Sequence, residues 1–232
     1  MKPEAFQKRL GKENDLDIRL KTNSLHNNNY YLDMDFAGVD KTNAKKVFEE
    51  FAGHLDKPLQ VMISSEEAMK IEVLKTAGFV CKRKCYEIEA KRQDYIGGNG
   101  EGEVLYSFTG EVVYDRCCEL MLDRYVMTHK DISPWTGNKE DFFAELPECV
   151  AYACVGGEPT CFAFVEGDEV AYVYGENAQI FRKFAETLVT DLFQKYEVIT
   201  FEADDCDEIA MELKNMFVNQ SEESFDTYIR EQ

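Results

Sequence analysis

The chain has only three histidines, and its eight cysteines form no metal-binding pattern. None of the cysteines makes a C-x-x-C pair, and the histidines lie far apart in the sequence. Structural zinc sites usually take two ligands from one short turn, so we expect no bound metal. Eight unpatterned thiols fit a reducing compartment instead.

Long apolar runs are also missing. No stretch approaches the length that crosses a bilayer, and residues 1–21 are charged throughout, without the apolar centre of a signal peptide. We therefore expect a cytoplasmic protein with no membrane partner. Hydrophobic residues make up 44% of the chain and charged residues 31%, a balance typical of globular proteins.

Basic residues are scarce in the second part of the chain. Residues 1–100 carry 17 Lys and Arg against 16 Asp and Glu, whereas residues 101–232 carry 9 against 29. An acidic surface repels phosphate backbones, so we expect no nucleic-acid partner. Two interpretations stay open: a solvated acidic surface, or a surface that attracts a small-molecule amine or a basic peptide.

A glycine-rich segment follows Ile96, and it divides the two parts of different charge. The run from Gly97 to Glu103 contains four glycines and no aliphatic residue, a composition typical of flexible connectors. We predict one domain over residues 1–96, a linker over 97–104 and a second domain over 105–232.

Alternating and helical patterns predict the order β-β-α-β-α-β in the first domain. The strands lie at 16–21, 30–39, 59–63 and 79–90. A first helix follows Thr42 and Asn43, which are typical capping residues. A second starts at Ser64, ends before Gly78 and points Met69, Val73 and Leu74 inward.

In the second domain two helices precede the strands. We predict helices at 112–126 and 138–146, three antiparallel strands within 149–174, and then helix 178–196, strand 198–201, helix 206–216 and strand 225–229. The later part repeats the order of the first domain. The long helix of each domain starts with the same Asn-Ala pair, at Asn43-Ala44 and at Asn177-Ala178. This repeat indicates a tandem duplication.

The order α-α-β-β-β-α-β-α-β resembles the GNAT family of N-acetyltransferases. The most specific local similarity is the segment from Glu67 to Ile88, where a helix ends in Ala-Gly-Phe and a strand with a tyrosine follows. The resemblance implies an α/β fold with a mixed sheet, the acyl-CoA N-acyltransferase (GNAT) fold. It implies a full C-terminal copy at about 112–230 and a partial N-terminal copy at 16–92.

The resemblance also implies a site for acetyl-CoA. In that fold the pantetheine arm lies between the fourth and fifth strands, and the diphosphate binds at the N-terminus of the next helix. The implied cofactor-binding residues are Val173, Tyr174, Gly175, Asn177, Ala178 and Gln179 in the second domain, and Lys41, Thr42, Asn43 and Ala44 in the first.

Both loops depart from the family's glycine-rich pattern. The second-domain loop has one glycine, carries Glu176 and reaches its first basic residue at Arg182; the first-domain loop lacks the glycine pair but has Lys41, Lys45 and Lys46. An ordinary capped helix start remains an alternative for each loop.

Catalysis by this fold needs a base or water chain for the amine and an acid for the leaving thiolate. The family's tyrosine acid is replaced by Leu74 in the first domain and by Glu212 or Leu213 in the second. We predict Tyr228 and Glu202 as catalytic residues, although a tyrosine on a strand also serves core packing. Trp135 either contacts the substrate or covers the core edge.

These residues leave three functions open. The first is an acetyl-CoA-dependent N-acetyltransferase acting on a small amine or basic peptide. The second is a catalytically inactive GNAT-like binding or dimerisation module, which includes a homodimer, that has lost its cofactor loop. The third is an acyltransferase that uses another acyl carrier.

Overall fold

A computed structural model describes residues 6–7, 18–100 and 103–231. Leu16 and Asp17 of the first predicted strand lie outside the described residues, as do Glu101 and Gly102 of the predicted linker. Within the described residues the chain forms a mixed α/β structure, as predicted.

The first part of the chain folds in the predicted order β-β-α-β-α-β, preceded by a two-residue strand that the sequence pattern did not predict. Its elements are β1 (Phe6–Gln7), β2 (Ile18–Lys21), β3 (Tyr30–Met34), α1 (Ala44–Ala52), β4 (Leu59–Ser64), α2 (Ala68–Thr76) and β5 (Val80–Lys91). The predicted inward position of Met69 is wrong, because its side chain is 85% exposed. α2 begins later than predicted, and it buries Ile71 and Leu74. Met69 precedes Ile71 by two positions, so its side chain lies on another face of the helix.

The second part adds a strand that the sequence pattern did not predict. Its elements are β6 (Leu105–Phe108), α3 (Val112–His129), α4 (Lys139–Phe143), β7 (Cys149–Val155), β8 (Glu158–Glu166), β9 (Glu169–Gly175), α5 (Ala178–Lys195), β10 (Val198–Asp204), α6 (Glu208–Lys214) and β11 (Phe225–Arg230). β6 escaped prediction because four residues beside a glycine-rich run show no clear alternation.

The chain forms two compact units that are not contiguous in sequence. Among the described residues, unit 1 contains 6–7, 18–84, 129–137 and 223–231, and unit 2 contains 85–100, 103–128 and 138–222. Each unit therefore takes segments from both sides of the glycine-rich run. The predicted domains, residues 1–96 and 105–232, are two consecutive copies of a GNAT-like fold. They are defined by the sequence repeat and not by these units, so the division stays a prediction.

Unit 1 is a sheet covered on one face by α1 and α2. Its strands follow the order β1-β2-β3-β4-β11. β11 pairs antiparallel with β4 from Phe225↔Ser64 to Arg230↔Leu59, so the last strand of the chain completes this unit. The core collects apolar side chains from both helices and the strands, among them Phe48, Leu74 and Tyr228.

Unit 2 has helices on both faces of its sheet. The strand order is β10-β9-β8-β7-β6, and residues 85–91 of β5 pair antiparallel with β10. α5 and α6 cover one face, where Phe181, Leu188 and Ile209 are buried. The other face carries α3 and α4, whose Tyr114 and Phe142 contact rings on β8 and β9.

The glycine-rich segment lies against α5 over residues 97–100. Tyr95 donates its hydroxyl to the carbonyl oxygen of Gly98 at 2.9 Å, and the Gly98 N–H donates to Glu186 at 3.1 Å. A side chain at Gly100 would place its Cβ 2.2 Å from the Cα of Thr187. Glycine at this position thus permits backbone-to-helix contact.

None of the helices in the described ranges combines the length and the hydropathy that a membrane span requires.

Candidate functional site

A gap opens between two parallel strands of unit 2. β9 and β10 stop pairing after Val170 and Phe201, although each strand is seven residues long. The register of β8 against β9 shifts at this point, because Ala171 is an extra residue that forms a β-bulge. A bulge bends its strand, so β9 turns away from β10. The backbones of residues 172–175 and 202–204 border the gap.

The helix after the gap starts tightly against the loop. A Cβ on Gly175 would lie 2.7 Å from the Cβ of Phe181, so this glycine accommodates the first turn of α5. Asn177 caps the helix, and its side chain accepts from the Ile180 N–H at 2.9 Å. The remaining N–H groups of the first turn have no partner within the helix.

Charges near the start of α5 do not favour an anion. Glu176 is exposed in the loop. Arg182 lies one turn into the helix, where its guanidinium donates to Glu212 at 2.6 Å and lies 3.7 Å from Glu186. The hydrogen bond with Glu212 raises the pKa of Arg182. The first arginine of α5 is thus already neutralised by carboxylates.

Unit 1 has a similar strand pair with a different helix start. β3 and β4 run parallel and stop pairing after Tyr31 and Gln60. The Asp40 carboxylate then accepts from the Thr42 N–H at 2.8 Å, from the Thr42 hydroxyl at 2.5 Å and from the Asn43 N–H at 3.2 Å. The hydrogen bonds from Thr42 lower the pKa of Asp40. A carboxylate therefore takes the donors that a phosphate would need.

Two of the three lysines near the start of α1 are also engaged. Lys41 lies 3.3 Å from Glu72, and Lys45 lies 3.8 Å from Glu49. The four predicted cofactor residues 41–44 do lie at the start of α1, but an anion there would meet the negative charge of Asp40. The six predicted residues of the second loop lie together in unit 2, at the end of β9 and the start of α5.

The two predicted catalytic residues belong to different units. Tyr228 lies on β11 in the core of unit 1 and is 3% exposed. Burial raises the pKa of its phenol to about 12. Glu202 lies on β10 in unit 2, where its exposed carboxylate accepts from the Cys85 thiol at 3.6 Å.

Tyr172 of β9 was not among the predicted residues, yet it lies beside the gap. It follows the bulge, and its ring centroid lies 6.3 Å from that of Phe142 in α4. Burial raises the pKa of Tyr172, and the nearby carboxylates of Glu145 and Glu202 raise it further. A phenol in this setting stays protonated at neutral pH. The sequence places Tyr172 two residues before the predicted cofactor residue Tyr174, which was its only signal.

Carboxylates form a row on the sheet face that carries Glu202. In the antiparallel pairing of β5 with β10, Glu87 lies opposite Glu202 and Glu89 lies opposite Thr200. All three glutamates are exposed. The row places negative charge next to the gap, on the face opposite α5 and α6.

Trp135 lies in unit 1, where its ring contacts His26, a contact that the sequence did not predict. Its ring centroid lies 5.3 Å from His26 in an edge-on contact, and His26 lies 6.4 Å from His129. His26 Nδ1 lies 2.7 Å from the carbonyl oxygen of Ser133. Arg83 approaches His129 Nε2 at 3.2 Å. His129 and Trp135 are close in sequence, but His26 lies about 100 residues before them, so spacing gave no signal that it joins this cluster.

All eight cysteines are free thiols. Within residues 6–7, 18–100 and 103–231, no three His, Cys, Asp or Glu side chains are grouped so as to hold a metal ion.

Comparison with known proteins identifies the fold. No family model and no curated protein matches the sequence. Among solved structures, a GCN5-related N-acetyltransferase from Sphaerobacter thermophilus is 6% identical and covers 92% of this chain and 76% of its own, with a TM-score of 0.50. A protein of unknown function from Staphylococcus epidermidis is 13% identical; the match covers 97% of this chain and 93% of that protein, with a TM-score of 0.51. A tandem GNAT protein of the clavulanic acid biosynthesis pathway is 8% identical; the match covers 92% of this chain and 78% of that protein, with a TM-score of 0.49. The predicted fold is confirmed: the chain has the fold of the GNAT N-acetyltransferases.

Proposed function

We propose that the chain is an acetyl-CoA-dependent N-acetyltransferase whose donor site lies in unit 2. The observation that carries the proposal is the separation of β9 from β10 at the Ala171 bulge. Backbone groups on both borders of the gap need partners, and an extended chain with amide groups supplies them as an added strand.

The pantetheine arm of acetyl-CoA has the chemistry that this gap accepts. Residues 172–175 and 202–204 would hold the arm, and the first-turn N–H groups of Ala178 and Gln179 would meet the diphosphate. The thioester supplies an activated acyl group when it is bound. Glu176 opposes the diphosphate, so we expect affinity to be modest and to depend on salt.

Unit 2 supports the donor better than unit 1 does. Both units have a parallel strand pair that separates after two register pairs, followed by an Asn at the start of a helix. This likeness supports the proposal that the units arose by duplication. In unit 1, however, the Asp40 carboxylate occupies the helix start. The proposed donor site is therefore single.

Glu202 and Tyr172 have the chemistry for the two proton transfers. The exposed Glu202 carboxylate is the base that takes a proton from the attacking amine. Tyr172 keeps its proton at neutral pH and is the acid that donates to the leaving sulfur. We propose Tyr172 for the role predicted for Tyr228, because Tyr172 shares unit 2 and the electrostatic contact with Glu202.

The acceptor we propose is a small amine or a basic peptide. Glu87 and Glu89 extend the negative charge of Glu202 along the same face. Carboxylates in a row attract an ammonium group and raise its local concentration. The cation would then approach the gap from the face opposite α5 and α6.

Calorimetry with acetyl-CoA, followed by a thiol-release assay on a panel of amines, tests the proposal. We expect a Kd on the order of 1–100 μM, which equals about 5–8 kcal/mol. Glu202→Gln should lower kcat by roughly 10²–10⁴-fold if Glu202 is the base. Glu89→Gln is the matched control and should raise KM while kcat is kept. Equal effects on kcat from both variants would contradict the assignment.

The second candidate is a binding module without catalysis. It is favoured by the charges at the start of α5, where Arg182 is paired with Glu212 and Glu176 is exposed. No heat of binding at millimolar acetyl-CoA would support this alternative and refute the enzyme.

A further inference from the structure

Unit 2 contains a second concave site, which borders the proposed donor site at Gln179 of α5. It is a pocket of about 520 Å³ between the β7–β8 hairpin, the first three turns of α5 and residues 103–104. No residue of β9 or β10 lines it. A volume of this size lies within the range of small-molecule sites in proteins, roughly 300–1,000 Å³.

Most of the surface inside this pocket is apolar. Phe184 and the buried Cys161 form part of its wall, with the half-buried Val104 and Ala153. At its edge Ile180 is 41% exposed and Val155 is 72% exposed. Exposed aliphatic side chains around a concave apolar surface are typical of a ligand site.

The edge of the pocket carries a cation without a partner. Lys183 lines the pocket and is exposed. In the described part of the chain, no carboxylate lies within ion-pair distance of its ammonium group. Five other basic residues of unit 2 are paired with carboxylates: Arg116, Arg124, Lys139, Arg182 and Lys195. None of the basic residues of unit 2 other than Lys183 lines this pocket. In so acidic a unit, an unpaired lysine beside an apolar pocket complements an anion.

We infer that this pocket binds a small apolar carboxylic acid. The apolar body would lie against Phe184, Val104 and Ile180, and the carboxylate would face Lys183. The exposed carboxylate of Glu103 also lines the pocket, so a ligand must place its negative group on the Lys183 side. The inference goes beyond the proposed acetyltransferase and does not depend on it.

Two cysteines of the pocket provide a direct readout. Cys154 is exposed, whereas burial raises the pKa of the Cys161 thiol to about 11. Alkylation near neutral pH should therefore modify Cys154 and spare Cys161, because the thiolate is the reacting species. Cys206 is exposed and does not line the pocket, so its rate serves as the internal control.

The experiment measures the alkylation rate of each cysteine by peptide mass spectrometry with decanoate, decanol or decylamine present. Decanoate at ten times its Kd should slow Cys154 roughly tenfold and leave Cys206 unchanged. Decanol should protect less, and decylamine least. Lys183→Gln should remove the preference for decanoate over decanol, and Glu103→Gln should strengthen decanoate binding.

Three results would overturn the inference. Equal protection by the three probes would show that charge plays no part. Equal slowing of Cys154 and Cys206 would show nonspecific action of the probe. Protection of Cys154 by acetyl-CoA would make the pocket part of the donor site, whereas failure of acetyl-CoA to bind at all would refute the proposed function and leave the pocket standing.

Discussion

At the scale of single residues, Gly175 and Tyr228 show how the immediate surroundings of a residue determine its role in the fold. Gly175 leaves room for Phe181, since a Cβ there would come within 2.7 Å of the Phe181 Cβ. Tyr228 is buried in the core of unit 1, and burial raises the pKa of its phenol to about 12. Ionisation of this phenol therefore destabilises the folded state, so the stability of the protein depends on pH.

The Tyr228 phenol predicts a loss of stability at alkaline pH. In an unfolded chain tyrosine ionises near pH 10. Since the folded state holds this proton more tightly, the stabilisation is complete below about pH 10 and is lost as pH rises toward 12. The free energy of unfolding of the native protein should fall more steeply between about pH 10 and 11 than that of Tyr228→Phe. Chemical denaturation at several pH values measures both slopes.

Tyr196→Phe, at an exposed position, is the control for loss of a tyrosine hydroxyl elsewhere in the chain. Parallel curves for the native protein and Tyr228→Phe would show that the phenol titrates normally in the folded state.

At the scale of elements, one aspartate caps the start of one helix and forms an ion pair with an arginine of a second helix. Asp207 accepts from the N–H groups of Ile209 and Ala210 at 2.8 and 3.2 Å and so caps α6. The same carboxylate forms a two-point contact with Arg124 of α3, whose Nε lies 3.2 Å away. Both side chains are mostly buried, so removal of either partner leaves a costly charge.

Asp207→Ala should therefore destabilise the protein by about 3–5 kcal/mol, because it removes the cap and the partner of Arg124 together. Asp207→Asn keeps an acceptor for the cap and should cost less. Urea denaturation compares the two variants. A larger loss in Asp207→Asn than in Asp207→Ala would contradict the shared role of this carboxylate.

The order of elements was predictable because alternation and helical spacing are local properties of the chain. The loops of residues 41–44 and 173–179 were placed correctly at strand-to-helix turns for the same reason. The Ala171 bulge was not predictable, because it depends on the register of β9 against β8. The turn around Asp40 was also missed, although Asp-x-Thr-Asn is a sequence that favours side-chain hydrogen bonds to the backbone.

At the scale of the whole molecule, the chain exchanges its strands. Residues 85–91 leave the first part of the chain to pair with β10 in unit 2, and β11 returns from the C-terminus to pair with β4 in unit 1. Alternation shows which face of a strand is buried but not which strand lies beside it. The exchange was therefore invisible in the sequence.

The exchange predicts that the two halves do not fold separately. A fragment of residues 105–232 lacks Ile88 and Ala90, which are buried in the unit 2 core, and leaves Tyr228 without the unit 1 core. Neither residues 1–96 nor residues 105–232 alone should give a cooperative unfolding transition. Coexpression of both fragments should restore one. A cooperative, well-dispersed fragment 105–232 would contradict this account.

Binding of acetyl-CoA in the gap of unit 2 can be followed residue by residue in a nitrogen-15 NMR titration. We expect amide shifts at residues 171–179 and 202–204 as acetyl-CoA is added, with residues 38–46 unchanged. Absence of shifts at millimolar acetyl-CoA, or shifts confined to residues 38–46, would contradict it.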